Sequence, residues 1–378
     1  MVNNNKSKYL NYVKIFNFYD SLCYFCLKRN FPHLKLDNKK KISDCFICKG
    51  VFYKIDEIVK RIFHIVDFQE KYDYHSFSIG TSLPYFMFDK EDYIRSLYKI
   101  KDIENIKSAF NFELRNKFKS ISKKKIKLIN PDIKIDVFIS NNNNNNNYSI
   151  KTLSRPFYLI GRYKKTKLLT QKEKKGLENQ SQDNNNPNIT IPKKQSIEMI
   201  IQKTLSNYIK MDRMIFNWYG SEDDNSQVLG KGRFFYVHII NPRQRQIKLN
   251  KIFSNNGLDF KIIAKKNFLE NTNINFRVKN KIFVKTASPI SNFYLRNLRD
   301  LNTSIIRYYY KSKFIYKKIY NIQFKKLDPF HLILILECDS GLFLRQFIEG
   351  RRKLMKPNIS LKLNNQCEFL KFDILDIS

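Results

Sequence analysis

The sequence predicts an α+β protein in which a small metal-binding α/β domain precedes a larger, strand-rich domain. Four of the six cysteines form two Cys-x-x-Cys pairs near the start of the chain. Segments with helical periodicity and segments with alternating periodicity are interleaved up to residue 139. Farther along, β-branched and aromatic runs separated by polar turns predict a series of strands. A chain of 378 residues has room for about two or three domains.

The cysteine pairs predict a structural zinc site. Cys23 and Cys26 form the first pair, Cys45 and Cys48 form the second, and eighteen residues lie between the two pairs. Short turns within each pair allow all four thiolates to face one point, as tetrahedral sulfur coordination requires. Because four thiolates leave no open position, this ion would fold the domain and perform no chemistry. The alternative is a set of unrelated structural or redox cysteines.

Periodicity divides the chain into two predicted domains. Residues 50–72 predict an amphipathic helix, and a second helix is predicted near Ile106–Phe118. Phe77–Pro84 predicts a strand and then a turn, and Asp132–Ile139 predicts a strand. These elements form a predicted α/β domain over residues 1–140. A low-complexity insertion is expected at 141–153 because a run of asparagines cannot bury apolar surface, and a second disordered insertion is expected at about 178–192. The second domain covers residues 154–378.

Further elements are predicted within the second domain. The segment RPFYLIGRYKKTKLLTQ predicts a strand and then a basic turn, and SIEMIIQKTLSNYI predicts an amphipathic helix capped by Ser196. Strands are predicted at FKIIAK, KIFVKT and YKKIYNIQF. Cys338 and Cys367 lie in apolar surroundings and are predicted to be core residues.

The charge balance predicts a polyanionic partner. Lys and Arg total 70 against 34 Asp and Glu, a formal net charge of +36. Nucleic acid is the first class of partner to consider. Codon drift in an A/T-rich genome is the alternative, but it does not explain the scarcity of acidic residues.

The first twenty residues lack a secretory pattern and no apolar run is long enough to span a membrane, so we expect a soluble intracellular protein of the nucleus or cytoplasm.

An acidic loop in this basic chain is the first candidate active site. Residues Gly220–Arg233 read GSEDDNSQVLGKGR and place Glu222, Asp223 and Asp224 in a row. The following segment predicts a buried strand over Phe234–Ile240, so the loop presents a carboxylate at the mouth of a strand. Glycines in the loop permit close approach of its backbone to a ligand. The alternative is a solvated surface loop.

A second candidate region lies near the C-terminus. The segment HLILILECDSGLFLRQFIEG predicts a buried strand, a Ser340–Gly341 turn and a short element that carries Phe343, Leu344 and Arg345. Arg345 lies among apolar neighbours. The ordinary interpretation of such an arginine is a side chain that extends its charged end into solvent.

Taken in order, these segments resemble the archaeal and eukaryotic tRNA pseudouridine synthases of the Pus-ten type. The resemblance runs from the paired cysteines through FSIGTSLP, NPDIKIDVF, PFYLIGRYKK, SIEMII and GSEDDNSQVLGKGRFF to GLFLRQFIEG and KPNIS. It covers nearly the whole chain outside the asparagine-rich segments. The fold that it implies is a pseudouridine synthase catalytic domain with a mixed central sheet, preceded by a zinc-bearing accessory domain that includes a THUMP-like RNA-binding unit.

The resemblance also implies residue roles and a reaction. The family's catalytic aspartate falls on Asp223 and the basic residue of its GxYIKE segment on Arg345. Its substrate contacts fall on Phe283, Phe343 and Leu344. The implied activity is an isomerase that converts uridine to pseudouridine in the T-loop of tRNA, at position 55, 54 or both. The implied partner is the T-arm, no cofactor is needed for catalysis, and we expect a monomer.

Several positions depart from the family pattern. Asn225 replaces the second aspartate of the loop, which favours Asp223 over Asp224 as the catalytic residue. The other replacements are Ser221 and Gln227 for arginines, Phe234 for proline, and Phe283 and Phe343 for tyrosines.

Three functions follow as hypotheses. In an active isomerase, Asp223 acts as nucleophile or base toward the ribose, Arg345 orients it through a charge-assisted hydrogen bond, and Phe283 stacks on the flipped base. In a non-catalytic RNA-binding relative that acts in RNA folding or processing, Ser221 marks the lost activity. A zinc-dependent deaminase is disfavoured because no His-x-Glu accompanies the cysteine pairs.

Overall fold

A computed structural model describes residues 20–32, 44–142, 145–172, 195–220, 222–268, 276–350 and 355–378. The chain forms two compact units. The first comprises Met1–Arg155 and Asn241–Arg245, and the second comprises Pro156–Ile240 and Gln246–Ser378. Helices and a large mixed sheet are both present, so the predicted α+β class is confirmed. No helix within these ranges is long and apolar enough to cross a membrane.

The helices of the first unit pack their apolar faces into one core. They are α1 (Tyr24–Asn30), α2 (Ile55–Phe63), α3 (Tyr85–Tyr98) and α4 (Ile106–Ser122). A 3-10 turn precedes α2 and a π-helical turn continues it to Gln69, which confirms the helix predicted for residues 50–72. The helix predicted near Ile106–Phe118 is α4. It begins where the Asn105 side chain accepts a hydrogen bond from the main-chain N–H of Ser108, at 2.8 Å.

A four-stranded sheet completes the first unit. Its strands are β1 (Ser76–Ser82), β2 (Lys125–Ile126), β3 (Ile133–Asn142) and β4 (Asn145–Ser154), in the order β2-β1-β3-β4. The strand β1 is parallel to β2 and β3, and β3 and β4 are antiparallel. The alternating apolar residues of β1 and β3 face the core, as predicted.

The expected insertion at 141–153 differs from the structure. Residues 145–153 lie in β4, and the backbone pairing with β3 continues into the asparagine run. Backbone hydrogen bonds do not depend on the side chain, and Tyr148 and Ile150 of β4 pack against the core. The second expected insertion, at about 178–192, lies outside the described residues.

A ten-stranded mixed sheet is the frame of the second unit. Nine strands follow the order β11-β12-β13-β10-β14-β7-β5-β9-β8, and β6 pairs with β7 off this path. The sheet is mixed because β14 and β7 are parallel whereas the other pairs are antiparallel. Its strands are β5 (Phe157–Lys165), β6 (Arg213–Trp218), β7 (Val228–Ile240), β8 (Ile252–Asn255), β9 (Leu258–Lys266), β10 (Arg277–Thr286), β11 (Ile305–Tyr310), β12 (Lys313–Lys326), β13 (His331–Asp339) and β14 (Cys367–Ile377).

Short helices cover part of this sheet and enclose two apolar cores. They are α5 (Ile197–Ser206), α6 (Asn292–Arg296), α7 (Leu344–Glu349) and α8 (Ile359–Leu363). Ser196 caps α5, as predicted, by accepting a hydrogen bond from the main-chain N–H of Met199 at 3.1 Å. The predicted core residues Cys338 and Cys367 are buried. Burial raises the pKa of the Cys338 thiol to about 12.

The pleat of the central strand β10 separates its side chains into two sets. Asn280, Ile282 and Val284 are buried on one face, whereas Lys281 and Phe283 are half-buried on the other. Successive side chains of a strand point to opposite faces, so these two sets cannot contribute to one cavity on the same face of the sheet.

Candidate active site

The acidic loop connects β6 to β7 and is shorter than the sequence suggests. The strand β7 begins at Val228, not at the expected Phe234, because its first residues pair with β5 and β14. Gly232 within this stretch has φ +79°, and a Cβ there would lie 2.6 Å from the carbonyl oxygen of Tyr163. Glycine therefore allows the left-handed backbone and the close strand contact at the base of the loop.

Glu222 anchors the loop in the protein interior. Its side chain is 1% exposed, and Oε2 lies 3.2 Å from Nη1 of Arg233. The hydroxyl of Tyr163 donates a hydrogen bond of 2.9 Å to the same oxygen. Burial, and then the charge of Glu222, raise the pKa of Tyr163 well above its ordinary value, so this hydroxyl stays a donor. Arg233 also donates to the carbonyl oxygen of Tyr219 through Nε and Nη2, at 2.9 and 2.6 Å.

Lys165, the last residue of β5, fixes the loop backbone. Its side chain is fully buried, and Nζ lies 3.2 Å from Oε1 of Glu222. The ammonium group also donates to the carbonyl oxygens of Leu169, Asp223 and Asp224, at 2.8, 3.1 and 3.3 Å. A buried charge is costly unless it is paired and hydrogen-bonded, and both conditions are met here.

Asp223 carries the exposed carboxylate of the loop. Its main-chain oxygen also accepts a hydrogen bond from the N–H of Ser226, at 3.0 Å, which closes a turn. Lys165 holds the loop backbone from the buried side, and the Asp223 side chain lies at a cavity of about 410 Å³. The cavity is also lined by Glu222, Arg233, Val278, Asn280, Leu342, Phe343, Leu344, Arg345, Phe369, Phe372 and Ile374.

Four of the five sequence-predicted catalytic and substrate-contact residues therefore meet at one cavity. They are Asp223, Phe343, Leu344 and Arg345. Phe343 packs edge-on against Tyr308 and Tyr310, with ring centroids 5.5 and 5.2 Å apart, and so occupies a fixed position.

Arg345 does not form the expected hydrogen bond to Asp223. Within the described residues its ion pair is with Glu349, one helical turn along α7, at 3.9 Å. The Arg345 side chain is 59% exposed, and its guanidinium lies 4.9 Å from the ring centroid of Phe369. The short helix α7 places Arg345 beside Glu349, so the described residues contain no buried Asp223–Arg345 pair.

Phe283 does not belong to the Asp223 cavity. It lines a second cavity, of about 770 Å³, together with Asn225 and Gln227 of the loop. The reason is the pleat of β10, which turns Phe283 away from the face that bears Asn280. Ser221, the other departure of interest in the loop, lies outside the described residues.

The residues that anchor the loop were missed by sequence reasoning. The sequence places Glu222 among the three consecutive carboxylates of the acidic loop, and it places Lys165 in a predicted basic turn. One signal was available: Phe157, Leu159, Gly161, Tyr163 and Lys165 alternate as the buried face of one strand. A lysine that continues an inward-facing alternation indicates a buried carboxylate partner.

The four N-terminal cysteines form a candidate metal centre in the first unit. Their sulfur atoms all lie within 4.8 Å of one another, and every one of the four side chains is buried. The Cys23 and Cys48 sulfur atoms are 3.6 Å apart. A tetrahedral site with metal–sulfur bonds of about 2.3 Å requires sulfur separations near 3.8 Å. The cluster therefore fits a structural metal ion held by Cys23, Cys26, Cys45 and Cys48.

Comparisons with known proteins agree with both units. A model of the Pus10 C-terminal domain matches residues 158–285, and a model of the archaeal Pus10 THUMP domain matches residues 62–137. The tRNA pseudouridine synthase Pus10 of Nitrosopumilus maritimus is 31% identical over 353 residues, which cover 90% of this chain and 87% of that relative.

Two further relatives carry the same name. The tRNA pseudouridine synthase Pus10 of Methanocaldococcus jannaschii is 25% identical over 361 residues, covering 89% of this chain and 75% of the relative. The tRNA pseudouridine synthase Pus10 of Korarchaeum cryptofilum is 21% identical over 360 residues, which cover 88% of this chain and 92% of that relative.

A large mixed sheet that matches the Pus10 C-terminal domain, in a chain with a THUMP domain, identifies an RNA-modifying isomerase of the pseudouridine synthase class. The chain belongs to the Pus10 family of tRNA pseudouridine synthases. The predicted family, enzyme class and THUMP unit are thereby confirmed.

Proposed function

We propose that this protein isomerises uridine to pseudouridine in the T-loop of tRNA, at position 55, 54 or both. The observation that carries the proposal is the exposed carboxylate of Asp223, held at the mouth of a cavity by a loop whose anchors are all buried. Family membership supports tRNA as the substrate. The T-arm of the tRNA would contact the protein. The protein would act as a monomer, in the nucleus or cytoplasm.

Asp223 is the proposed catalytic residue. The reaction breaks the C1′–N1 bond of uridine, turns the base and joins C1′ to C5. C5 then loses its proton to solvent or to a base while N1 gains a proton from solvent, so that the product has the same atoms as the substrate. An ionised aspartate beside the ribose can act as nucleophile at C1′ or as base toward the sugar. The loop contacts through Lys165 fix the Asp223 backbone before the substrate arrives, which is the preorganisation that such a step needs.

Phe343, Leu344 and Arg345 are the proposed substrate contacts of this cavity. A target base in folded RNA must leave its stack, at a cost of a few kcal/mol. The fixed ring of Phe343 and the apolar Leu344 offer a surface on which the flipped base is held during its rotation. Arg345 is exposed at the same cavity and can reach a phosphate or the base edge.

We further propose that the ion held by the four cysteines is zinc and that it is structural. Four sulfur ligands suit zinc, and they leave no open coordination position for substrate. The residues of the Asp223 cavity belong to the second unit, so the cysteines would stabilise the first unit and take no part in the isomerisation.

Pseudouridine mapping on T-arm RNA with purified protein tests the proposal. We expect modification by the native protein at one or both T-loop uridines. Asp223→Asn should abolish it while leaving RNA affinity within about threefold, because the change keeps the shape and removes the charge. Asp224→Asn is the matched control and should retain activity. RNA binding without pseudouridine formation by the native protein would identify a non-catalytic RNA-binding relative instead.

A further inference from the structure

The second cavity lies on the sheet face opposite to the Asp223 cavity and carries an excess of positive charge. Lys167, Lys281 and Lys371 line it together with one carboxylate, that of Asp373. Three ammonium groups against one carboxylate leave a net charge of +2. Asp373 is only 6% exposed, and its carboxylate accepts a hydrogen bond of 2.9 Å from the main-chain N–H of Gln227.

Two of the lysines converge on the ring of Phe283. Lys371 lies directly opposite Phe283 in the β10–β14 register, and Lys281 precedes Phe283 by two residues on the same face of the strand. Their Nζ atoms lie 4.6 and 5.1 Å from the ring centroid. The aromatic ring thus contacts two cations that line one cavity.

Neither of these ammonium groups has a carboxylate within ion-pair distance among the residues that the structure describes. Cations that line one cavity without a carboxylate partner create a positive potential there, which favours the binding of an anion. The arrangement is therefore a site for an anion, and its aromatic and amide lining, Phe283 with Asn225 and Gln227, suits a nucleic acid strand.

We propose that this cavity binds a backbone phosphate of the substrate RNA, in the strand that continues beyond the flipped uridine. The proposal rests on the proposed function, and it names where the strand continues beyond the Asp223 cavity. Asn225 follows Asp223 by two residues, a span of at most about 7 Å, so one loop borders both cavities. A strand that presents its uridine to Asp223 can pass around the loop and place a phosphate farther along the chain at Lys281 and Lys371.

The experiment measures affinity for T-arm RNA at several salt concentrations with Lys281→Gln, Lys371→Gln and the double variant. Each single change should weaken binding by about three- to tenfold and lower the slope of log affinity against log salt by about 1. The loss should fall on the apparent KM more than on kcat. Lys203→Gln on α5 is the matched control, since Lys203 is exposed and lies outside this cavity.

Three outcomes would overturn the proposal. The first is a folded double variant with native affinity and salt slope, and the second is an equal loss in Lys203→Gln. The third is binding of inorganic phosphate at the two lysines with no change in RNA affinity, which would assign the site to a free anion. Thermal melting of each variant separates these results from unfolding. If the lysines govern RNA affinity but the native protein forms no pseudouridine, the proposed function fails and this site stands.

Discussion

Lys165 and Glu222 form an ion pair that is removed from solvent behind the loop that presents Asp223. Their charged atoms are 3.2 Å apart, and the side chains are 0% and 1% exposed. Two charges buried in this way are tolerated because Lys165 also donates to three carbonyl oxygens and Glu222 also pairs with Arg233. The loop is thus held by groups other than the exposed carboxylate, which leaves Asp223 available at the cavity.

Lys165→Met is therefore expected to impair catalysis through position. The variant releases the carbonyl oxygens of Asp223 and Asp224, and a displacement of about 1 Å in a catalytic group lowers kcat by about 100-fold. The KM for RNA should change little because Lys165 exposes no surface to a ligand. Loss of a buried partner should also destabilise the protein by about 3 kcal/mol. Pseudouridine formation at saturating RNA, below the melting temperature, measures the effect.

Lys164→Met is the control for this experiment. Lys164 is the exposed neighbour on the same strand, and its replacement removes the same charge while the carbonyl oxygens of Asp223 and Asp224 keep their donor. We expect it to keep native kcat and melting temperature. A folded Lys165→Met protein that retained native kcat would show that the ion pair serves stability alone.

Arg345→Met should lower activity without lowering stability. The side chain is 59% exposed and its partner Glu349 also accepts a main-chain N–H from Phe369, so the loss of one ion pair should change stability by less than about 1 kcal/mol. The loss of a cation at the cavity should weaken the contact with RNA, and kcat/KM should fall by about tenfold or more. Arg345→Lys should recover part of the lost kcat/KM. Equal activity of Arg345→Met and the native protein would remove Arg345 from the site.

The sequence predicted those features of the site that depend on local order. Asp223 is recognisable because it is a carboxylate in a glycine-bearing loop just before a predicted strand. Phe343, Leu344 and Arg345 are recognisable as a group because they share one short element. The structure brings both segments to one cavity because β7 and the end of β13 flank the central strands β10 and β14.

The features that depend on register across the sheet could not be predicted. Whether Phe283 faces the Asp223 cavity is decided by the pleat of β10 relative to its neighbours, and a shift of one residue reverses it. Lys165 meets Glu222 across 57 residues of sequence, and the alternation that distinguishes Lys165 from the exposed Lys164 does not identify its partner. The i,i+4 spacing of Arg345 and Glu349 is compatible with an ion pair on one helix face. The sequence alone does not decide between this partner and the expected partner Asp223.

Removal of the metal ion is expected to unfold the first unit. Zinc analysis should find one ion in the native protein, and Cys45→Ser should lower the occupancy. A chelator should melt the unit, since such sites supply on the order of 10 kcal/mol of apparent folding free energy. Cys338→Ser is the matched control, because Cys338 is buried in the second unit. Native protein with no bound metal but a fully folded first unit would exclude a structural ion.

Asp132 should make the first unit sensitive to acid. Burial of Asp132 opposes its ionisation, but hydrogen bonds from the main-chain N–H of His75 and from the N–H and hydroxyl of Ser76 prevail and lower its pKa. Arg155 adds an ion pair at 3.2 Å. The folded-state pKa lies below the unfolded value of about 3.9, so the stabilisation is complete above about pH 5 and is lost as the pH falls through the folded-state pKa.

Asp132→Asn tests this assignment, because an amide cannot ionise and leaves the donors of His75 and Ser76 with a weaker acceptor. At pH 7 the variant should melt at a lower temperature than the native protein. Between pH 5 and pH 3 the native melting temperature should fall more steeply than that of the variant, so that the two curves converge. Asp136→Asn, on β3 with a partly exposed pair to Lys134, is the control and should follow the native curve. Parallel curves for Asp132→Asn and the native protein would place the acid-sensitive group elsewhere.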